Sequence, residues 1–334
     1  MVTHDPYTRP PQSAFTITVL GGTGFVGRHL VHRLTAHGHR VNVLTRNREA
    51  HREMLVDPSV EVFTADPYDP ETLARFLDRS EVAINLVGIL NEKEHDGSGF
   101  QRAHVELTKL LADTARKTGV RRFLQMSALG ADIESRSHYQ RTKAEAEKYL
   151  LKECAGELDV TVFRPSLIFG PGENFVTRFA GLLRMAPGIL PLARAETRFA
   201  PVYVMDVVEA FARSLYNPHT FGKVYELCGP DVYTLADLVR YVRRHAGIRR
   251  GILPLPQAVA KLQATVMEYL PGKPFSLDNF HSMQKDNVCH GNNGLLELGI
   301  RPTGMDAYVP FQLGSRPLPR VSYSRYRRDR RDVL

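Results

Sequence analysis

Thr16-Ile-Thr-Val-Leu-Gly-Gly-Thr-Gly-Phe-Val-Gly-Arg-His-Leu30 joins a β-branched run to a glycine turn and then to an apolar-periodic stretch. Thr16 to Leu20 reads as a short buried strand, and Val26, Leu30, Val31 and Leu34 recur at helical spacing after it. Gly21, Gly24 and Gly27 stand at a G-x-x-G-x-x-G spacing. Gly21 permits the tight turn, Gly24 lets backbone N–H groups approach a pyrophosphate, and Gly27 lets the helix pack on its strand. The phosphates then meet the positive end of the helix dipole. Thr23, Phe25 and Val26 belong to the same loop and are expected to touch the dinucleotide. An ordinary glycine-rich turn is the alternative, and the order strand, turn, helix argues against it.

Outward from this stretch, strand and helix patterns alternate. Arg40–Thr45, Val60–Thr64, Val82–Val87, Arg122–Ser127 and Asp159–Phe163 read as further strands. Helices are expected near Pro70–Arg79, Ala103–Thr118 and Tyr139–Glu153. The alternation predicts an α/β fold, a Rossmann-type doubly wound parallel sheet with a smaller C-terminal lobe. The expected divisions are an N-terminal extension over 1–14, a dinucleotide-binding domain over 15–170, a lobe over 171–314 and a basic tail over 315–334. Some strands of the lobe, such as Val224–Cys228, are expected to return to the sheet. A short strand at Val202–Met205 and a helix over Thr234–His245 complete the pattern.

With 334 residues, 43% hydrophobic and 24% charged, the chain has an ordinary globular composition. No apolar run reaches the ~18 residues that span a bilayer. Met1 to Gln12 has no apolar core, which argues against a secretory signal. Cys154, Cys228 and Cys289 are isolated and odd in number, so free or buried thiols in a reduced compartment are expected. Ser315 to Leu334 holds seven arginines and two aspartates against a net charge of +8 for the whole chain. The body is therefore only mildly basic, which argues against nucleic acid as a partner. The tail serves either solubility or attachment to anionic lipid or an acidic protein face.

Two groups of side chains carry chemistry. At the end of strand two, Thr45-Arg46-Asn47-Arg48 offers no carboxylate for ribose hydroxyls, and Arg46 favours a 2′-phosphate, hence NADP(H) over NAD(H). A solvated loop arginine is the bland alternative. Asp66, after strand three, either accepts from an adenine amino group or caps the following turn. Ser127 ends strand five, and Tyr139 and Lys143, four apart, project from one helix face. A nearby ammonium favours the phenolate and draws its pKa down, which suits proton exchange during hydride transfer. Ser127 would orient the substrate oxygen. A purely structural Tyr and Lys is the alternative.

Together these residues resemble the short-chain dehydrogenase/reductase superfamily in its extended or atypical branch. Asn85-Leu-Val-Gly88, Arg164-Pro-Ser-Leu-Ile-Phe-Gly170 and Pro201-Val-Tyr-Val-Met-Asp206 add to the likeness. The resemblance implies that Val87 and Gly88 line the adenosine and nicotinamide riboses, and that Pro165 to Ile168 flank the nicotinamide. Phe100, His104, Met126-Ser-Ala-Leu-Gly130, Ser137-His-Tyr139 and Gly222-Lys-Val-Tyr-Glu-Leu-Cys-Gly-Pro230 are similar to bacterial relatives of the NADPH-binding accessory subunit of respiratory complex I. That likeness covers roughly residues 15–310, and a related group is linked with ubiquinone biosynthesis. It implies either an oxidoreductase acting on a carbonyl, alcohol or quinone-related lipophilic substrate, or a non-catalytic NADPH-binding subunit docked on a respiratory assembly. A redox-sensing regulator is a third option. A cytoplasmic protein, peripheral on the inner membrane in the docking case, is expected.

The thirteen histidines show no metal-ligand spacing, and no metal site is expected. His104 reads as structural and Asp206 as a helix N-cap. Val259, Leu262, Val266 and Leu270 share one face of a helical stretch. Core packing is the first expectation there, and a docking face for a membrane or partner is the other.

Overall fold

The computed structural model describes residues 14–270 and 275–313. The basic tail and residues 1–13 of the N-terminal extension lie outside the described residues. Thr16–Leu20 forms β1, the glycine turn follows, and Phe25–Ala36 forms α1. Then come β2 (Arg40–Thr45), β3 (Val60–Thr64), α2 (Pro70–Leu77) and β4 (Val82–Asn85). A single turn, α3 (Ser98–Phe100), runs through a π-helical segment at Gln101–Glu106 into α4 (Leu107–Thr118). That helix therefore starts before Ala103, the position at which its apolar period becomes visible. Next are β5 (Arg122–Met126), α5 (His138–Lys148) and β6 (Asp159–Pro165).

All pairings in the central sheet are parallel, in the order β3-β2-β1-β4-β5-β6-β11, where β11 is Lys223–Leu227. The order reverses between β1 and β4. The crevice where open α/β sheets take their ligands lies at that reversal, beyond the carboxyl ends of the strands. One face buries Leu30, Val31 and Leu34 of α1 with Val207, Val208 and Phe211 of α7 (Val204–Ser214). The other face buries Leu73, Leu77, Leu107 and Leu111 from α2 and α4. Both faces of the central strands β1 and β4 are thus covered, and their sequences are correspondingly apolar, whereas Glu61 on the edge strand β3 is exposed.

Between β6 and β11 the chain forms β7 (Ile168–Phe169), α6 (Phe175–Met185), β8 (Ile189–Leu192), β9 (Arg198–Phe199) and β10 (Val202–Tyr203). Past β11 lie β12 (Tyr233–Thr234), α8 (Leu235–His245), β13 (Gly251–Pro254), α9 (Gln257–Met267) and α10 (Leu277–Ser282). Three two-stranded ribbons, β7–β10, β9–β12 and β8–β13, knit this part together around Phe169, Val176, Leu183, Leu238 and Val242.

Three expectations are corrected here. Cys228 and Cys289 form a disulfide, and only Cys154 is a free, buried thiol among the described residues. Sequence spacing could not show this pair, because the fold alone brings the end of β11 to the loop after Asn287. Asp206 is not an N-cap: α7 begins at Val204, and the Asp206 carboxylate accepts from Thr303 N–H at 2.7 Å and Thr303 Oγ1 at 3.1 Å. On α9, Ala260 and Ala264 are the buried residues, whereas Leu262 is 64% exposed and Val266 58%. The helix packs through its small side chains, so core packing does not account for the large ones.

Candidate active site

Gly21 adopts φ +77°, a left-handed conformation that favours glycine. A Cβ on Gly27 would stand 2.2 Å from the Gly21 carbonyl oxygen, so α1 can approach the turn only with glycine there. The first turn of α1 carries no acidic residue, and Gly24 caps it without a side chain. This leaves backbone N–H groups at the helix start as donors for an anion. A cradle of this shape fits a dinucleotide pyrophosphate.

A cleft of about 540 Å³ opens beside the cradle. It is lined by Gly21, Gly24, Phe25, Val26, Gly27, Gly88, Ser127, Tyr139, Lys143, Pro165 and Ile168, all expected from sequence. Thr23, Arg46, Asp66 and Val87 are not among its lining residues. Arg46 is exposed and directly follows β2, at the same carboxyl edge. Asp66 Oδ1 accepts from Tyr68 N–H at 3.0 Å, which is the turn-capping alternative. Val87 contributes backbone: its N–H donates to Asn85 Oδ1, and its carbonyl lies 3.5 Å from Lys143 Nζ.

Lys143 is buried, and its ammonium donates to the Met126 carbonyl at 3.2 Å. A Cβ on Gly88 would stand 3.0 Å from Lys143 Nζ, so glycine keeps room for the lysine. Burial lowers the Lys143 pKa to about 8, with Glu147 opposing the shift. Tyr139 packs edge-on against His104 and Phe100. Burial pushes its phenol up to about 12, and the Asp278 carboxylate acts in the same direction. The expected lowering of the Tyr139 pKa is therefore corrected: burial of the phenol, with the Asp278 charge, raises it.

Ser127 Oγ donates to Glu147, which also receives Arg164 Nε at 2.9 and 3.1 Å. The serine proton is thus held by a carboxylate, and its oxygen is left to accept. In this arrangement Ser127 faces a substrate oxygen as an acceptor. Glu147 was missed in the sequence, although Lys143-x-x-x-Glu147 shares the spacing of Tyr139 and Lys143. His104 accepts from Ile89 N–H through Nε2, and its Nδ1 meets Thr142 Oγ1 at 2.9 Å. Burial and then Lys143 lower its pKa to about 2, so the ring is neutral and pins the segment after β4 to α5.

The C-terminal part supplies the opposite wall through Met283, Lys285 and Asn287. Asn287 Oδ1 accepts from Ser166 Oγ at 2.7 Å and from Leu167 N–H at 3.1 Å. Asp278 meets the start of α5 through Ser137 Oγ at 2.8 Å and His138 N–H at 2.5 Å. Neither residue carries a local sequence signal, because both act across more than a hundred positions. Among the described residues no group of three or more His, Cys, Asp or Glu is placed to hold a metal ion.

A seven-stranded parallel sheet that offers a glycine cradle and a Ser–Tyr–Lys group at one carboxyl edge has the architecture of an extended short-chain dehydrogenase/reductase, a nicotinamide-dinucleotide-binding class. The chain belongs to the NAD dependent epimerase/dehydratase family, whose model matches residues 17–228. It is 30% identical over 300 residues to NADH dehydrogenase [ubiquinone] 1 alpha subcomplex subunit 9, mitochondrial, of Arabidopsis thaliana, covering 85% of this chain and 73% of that protein. It is 31% identical over 244 residues to the ceramide reductase of Caulobacter vibrioides, covering 72% and 73%. The fold matches the UDP-glucose 4-epimerase of Thermotoga maritima with a TM-score of 0.70, at 19% identity over 89% of this chain and 97% of that one.

Proposed function

We propose that the chain binds NADP(H) at the Gly21–Gly27 turn and acts on a carbonyl or alcohol of a lipophilic, quinone-related molecule. The observation that carries this reading is Tyr139 and Lys143 lining the same cleft as the glycine cradle. Leu90, Phe175, Phe199 and Met283 make much of the remaining wall apolar, which suits a lipophilic substrate. A relative named for ceramide reduction supports the same substrate class. Arg46, with no acid at the end of β2, would receive the 2′-phosphate.

Held at the Gly21–Gly27 turn, a reduced nicotinamide dinucleotide would supply the hydride that the carbonyl carbon receives. The neutral Tyr139 phenol gives its proton to the carbonyl oxygen, completing the alcohol, and the Lys143 ammonium stabilises the phenolate left behind. Ser127 accepts a hydrogen bond from the new hydroxyl while Glu147 holds the serine proton. For a quinone, the same hydride and proton suffice: the adduct tautomerises, losing a proton from carbon as the second oxygen gains one, to give the hydroquinone. The test is NADPH oxidation followed by absorbance with quinones of increasing tail length. Tyr139→Phe should slow turnover by at least ~10²-fold with the fold intact. Wild-type turnover in that variant overturns the assignment.

A second reading rests on the raised Tyr139 pKa and on relatives named as respiratory complex I subunits. In it, NADPH rigidifies the fold and the surface docks on a respiratory assembly, peripheral to the membrane. Tight NADPH binding without turnover of any quinone selects this reading.

A further inference from the structure

Helix α9 is amphipathic in an inverted sense: its alanines face inward and its large apolar side chains face out. Ala260 and Ala264 are fully buried against Ala193 and Phe280, while Leu262, Val266 and the following Tyr269 are 64, 58 and 76% exposed. Gln263 Nε2 donates to the Pro191 carbonyl, which holds α9 beside the β8–β13 ribbon. On that ribbon Ile189 and Leu253 are also more than half exposed. Such a crest is costly to leave in water and marks a docking surface.

Charge selects the occupant. From Leu238 to Met267 the chain contains Arg240, Arg243, Arg244, Arg249, Arg250 and Lys261 and not one carboxylate. Arg240 pairs with Asp237, whereas Arg243 and Arg250 donate to backbone carbonyls, so most of this positive charge is not neutralised by those contacts. Arg243 and Arg250 stand where α8 meets the β8–β13 ribbon, so cations border the ribbon end of the apolar crest, a pairing that complements a bilayer interface with anionic headgroups.

We propose that α9 and the β8–β13 ribbon dock the protein on an anionic lipid surface. Docking does not depend on whether the site turns over. It places α10, which packs on α9 through Phe280 and is followed by the cleft residue Met283, at the membrane side of the cleft. A lipophilic molecule could then pass between bilayer and cleft without crossing water.

The experiment is flotation of the full chain with phosphatidylcholine vesicles, with and without phosphatidylglycerol. NADPH affinity is measured alongside to report the fold and the cofactor site separately. Binding should require phosphatidylglycerol and weaken with salt. Leu262→Ser, Val266→Ser and Tyr269→Ser together should weaken it by about tenfold or more with NADPH affinity unchanged. Arg244→Glu with Arg249→Glu should also weaken it and reduce its salt dependence. The proposal is overturned if the triple variant floats like the unmodified chain, which would assign binding to another segment such as the basic tail. It is equally overturned if the unmodified chain floats with neither vesicle, or if light scattering shows that the crest instead joins two copies of the chain.

Discussion

The Asp278 carboxylate accepts a hydrogen bond from the His138 N–H at 2.5 Å, so a residue of the C-terminal part caps the helix that carries Tyr139 and Lys143. Ser137, the local N-cap, gives its proton to Asp278 and accepts from Gln140 N–H. Two caps, one local and one distant, thus fix where α5 begins, and a carboxylate there also complements the helix dipole. Asp278→Asn keeps the shape and removes the charge. It should cost about 1–2 kcal/mol of stability, read by denaturant unfolding. It should also lower the Tyr139 pKa, since the Asp278 charge raises it. Tyrosine-selective NMR titration checks the second effect, and an unmoved pKa would remove Asp278 from the electrostatics of the site.

The lowered Lys143 pKa sets a pH dependence. Its folded pKa of about 8 lies below the ordinary lysine value, so the buried ammonium opposes folding at neutral pH and that penalty is relieved as pH rises above about 8. Binding of an anionic dinucleotide favours the ammonium and has the opposite dependence. NADPH affinity should therefore fall as pH rises above about 8, and Lys143→Met should bind more weakly with a flat profile. Fluorescence titration across that range decides it.

Cofactor choice tests Arg46. NADPH should bind more tightly than NADH, and Arg46→Asp should lose about 1.5–3 kcal/mol of that preference as one charge-assisted contact disappears. Equal affinities in the unmodified protein would reassign Arg46 to solvent.

The Cys228–Cys289 bridge closes a loop with a sequence separation of 61. Its reduction should lower the unfolding free energy by about 2–4 kcal/mol through restored chain entropy. Because Cys289 stands two residues from Asn287, which holds Ser166 and Leu167 at the cleft, NADPH affinity should weaken together with stability. Unfolding curves with and without dithiothreitol give the first number, and fluorescence titration gives the second.

The sheet was legible from sequence because its strands are short, mostly apolar runs separated by helical periods, several of them rich in β-branched residues, and because glycines can be read as backbone demands. Thr16–Leu20, Arg40–Thr45 and Val60–Thr64 agree residue for residue with β1, β2 and β3. What sequence could not show is contact at long range. The disulfide, the Asp278 cap, Asn287 and the Asp206–Thr303 bonds each join residues whose separation carries no period. Tyr139 shows the same limit in energetic form: the spacing to Lys143 is local, but the burial and the Asp278 charge that raise its pKa come from the assembled fold. On α9 the period was visible, and its direction relative to the core was not.

The order in which the cleft is assembled follows from where its walls lie in the chain. On the ribosome, the glycine cradle and six strands emerge well before β11, Asp278 and Asn287 exist. A nascent chain at that stage has a sheet without its last edge and a helix α5 without its distant cap. A chain that stops soon after residue 228, where the family match ends, would carry the cradle without the Asp278 cap on the helix that bears Tyr139.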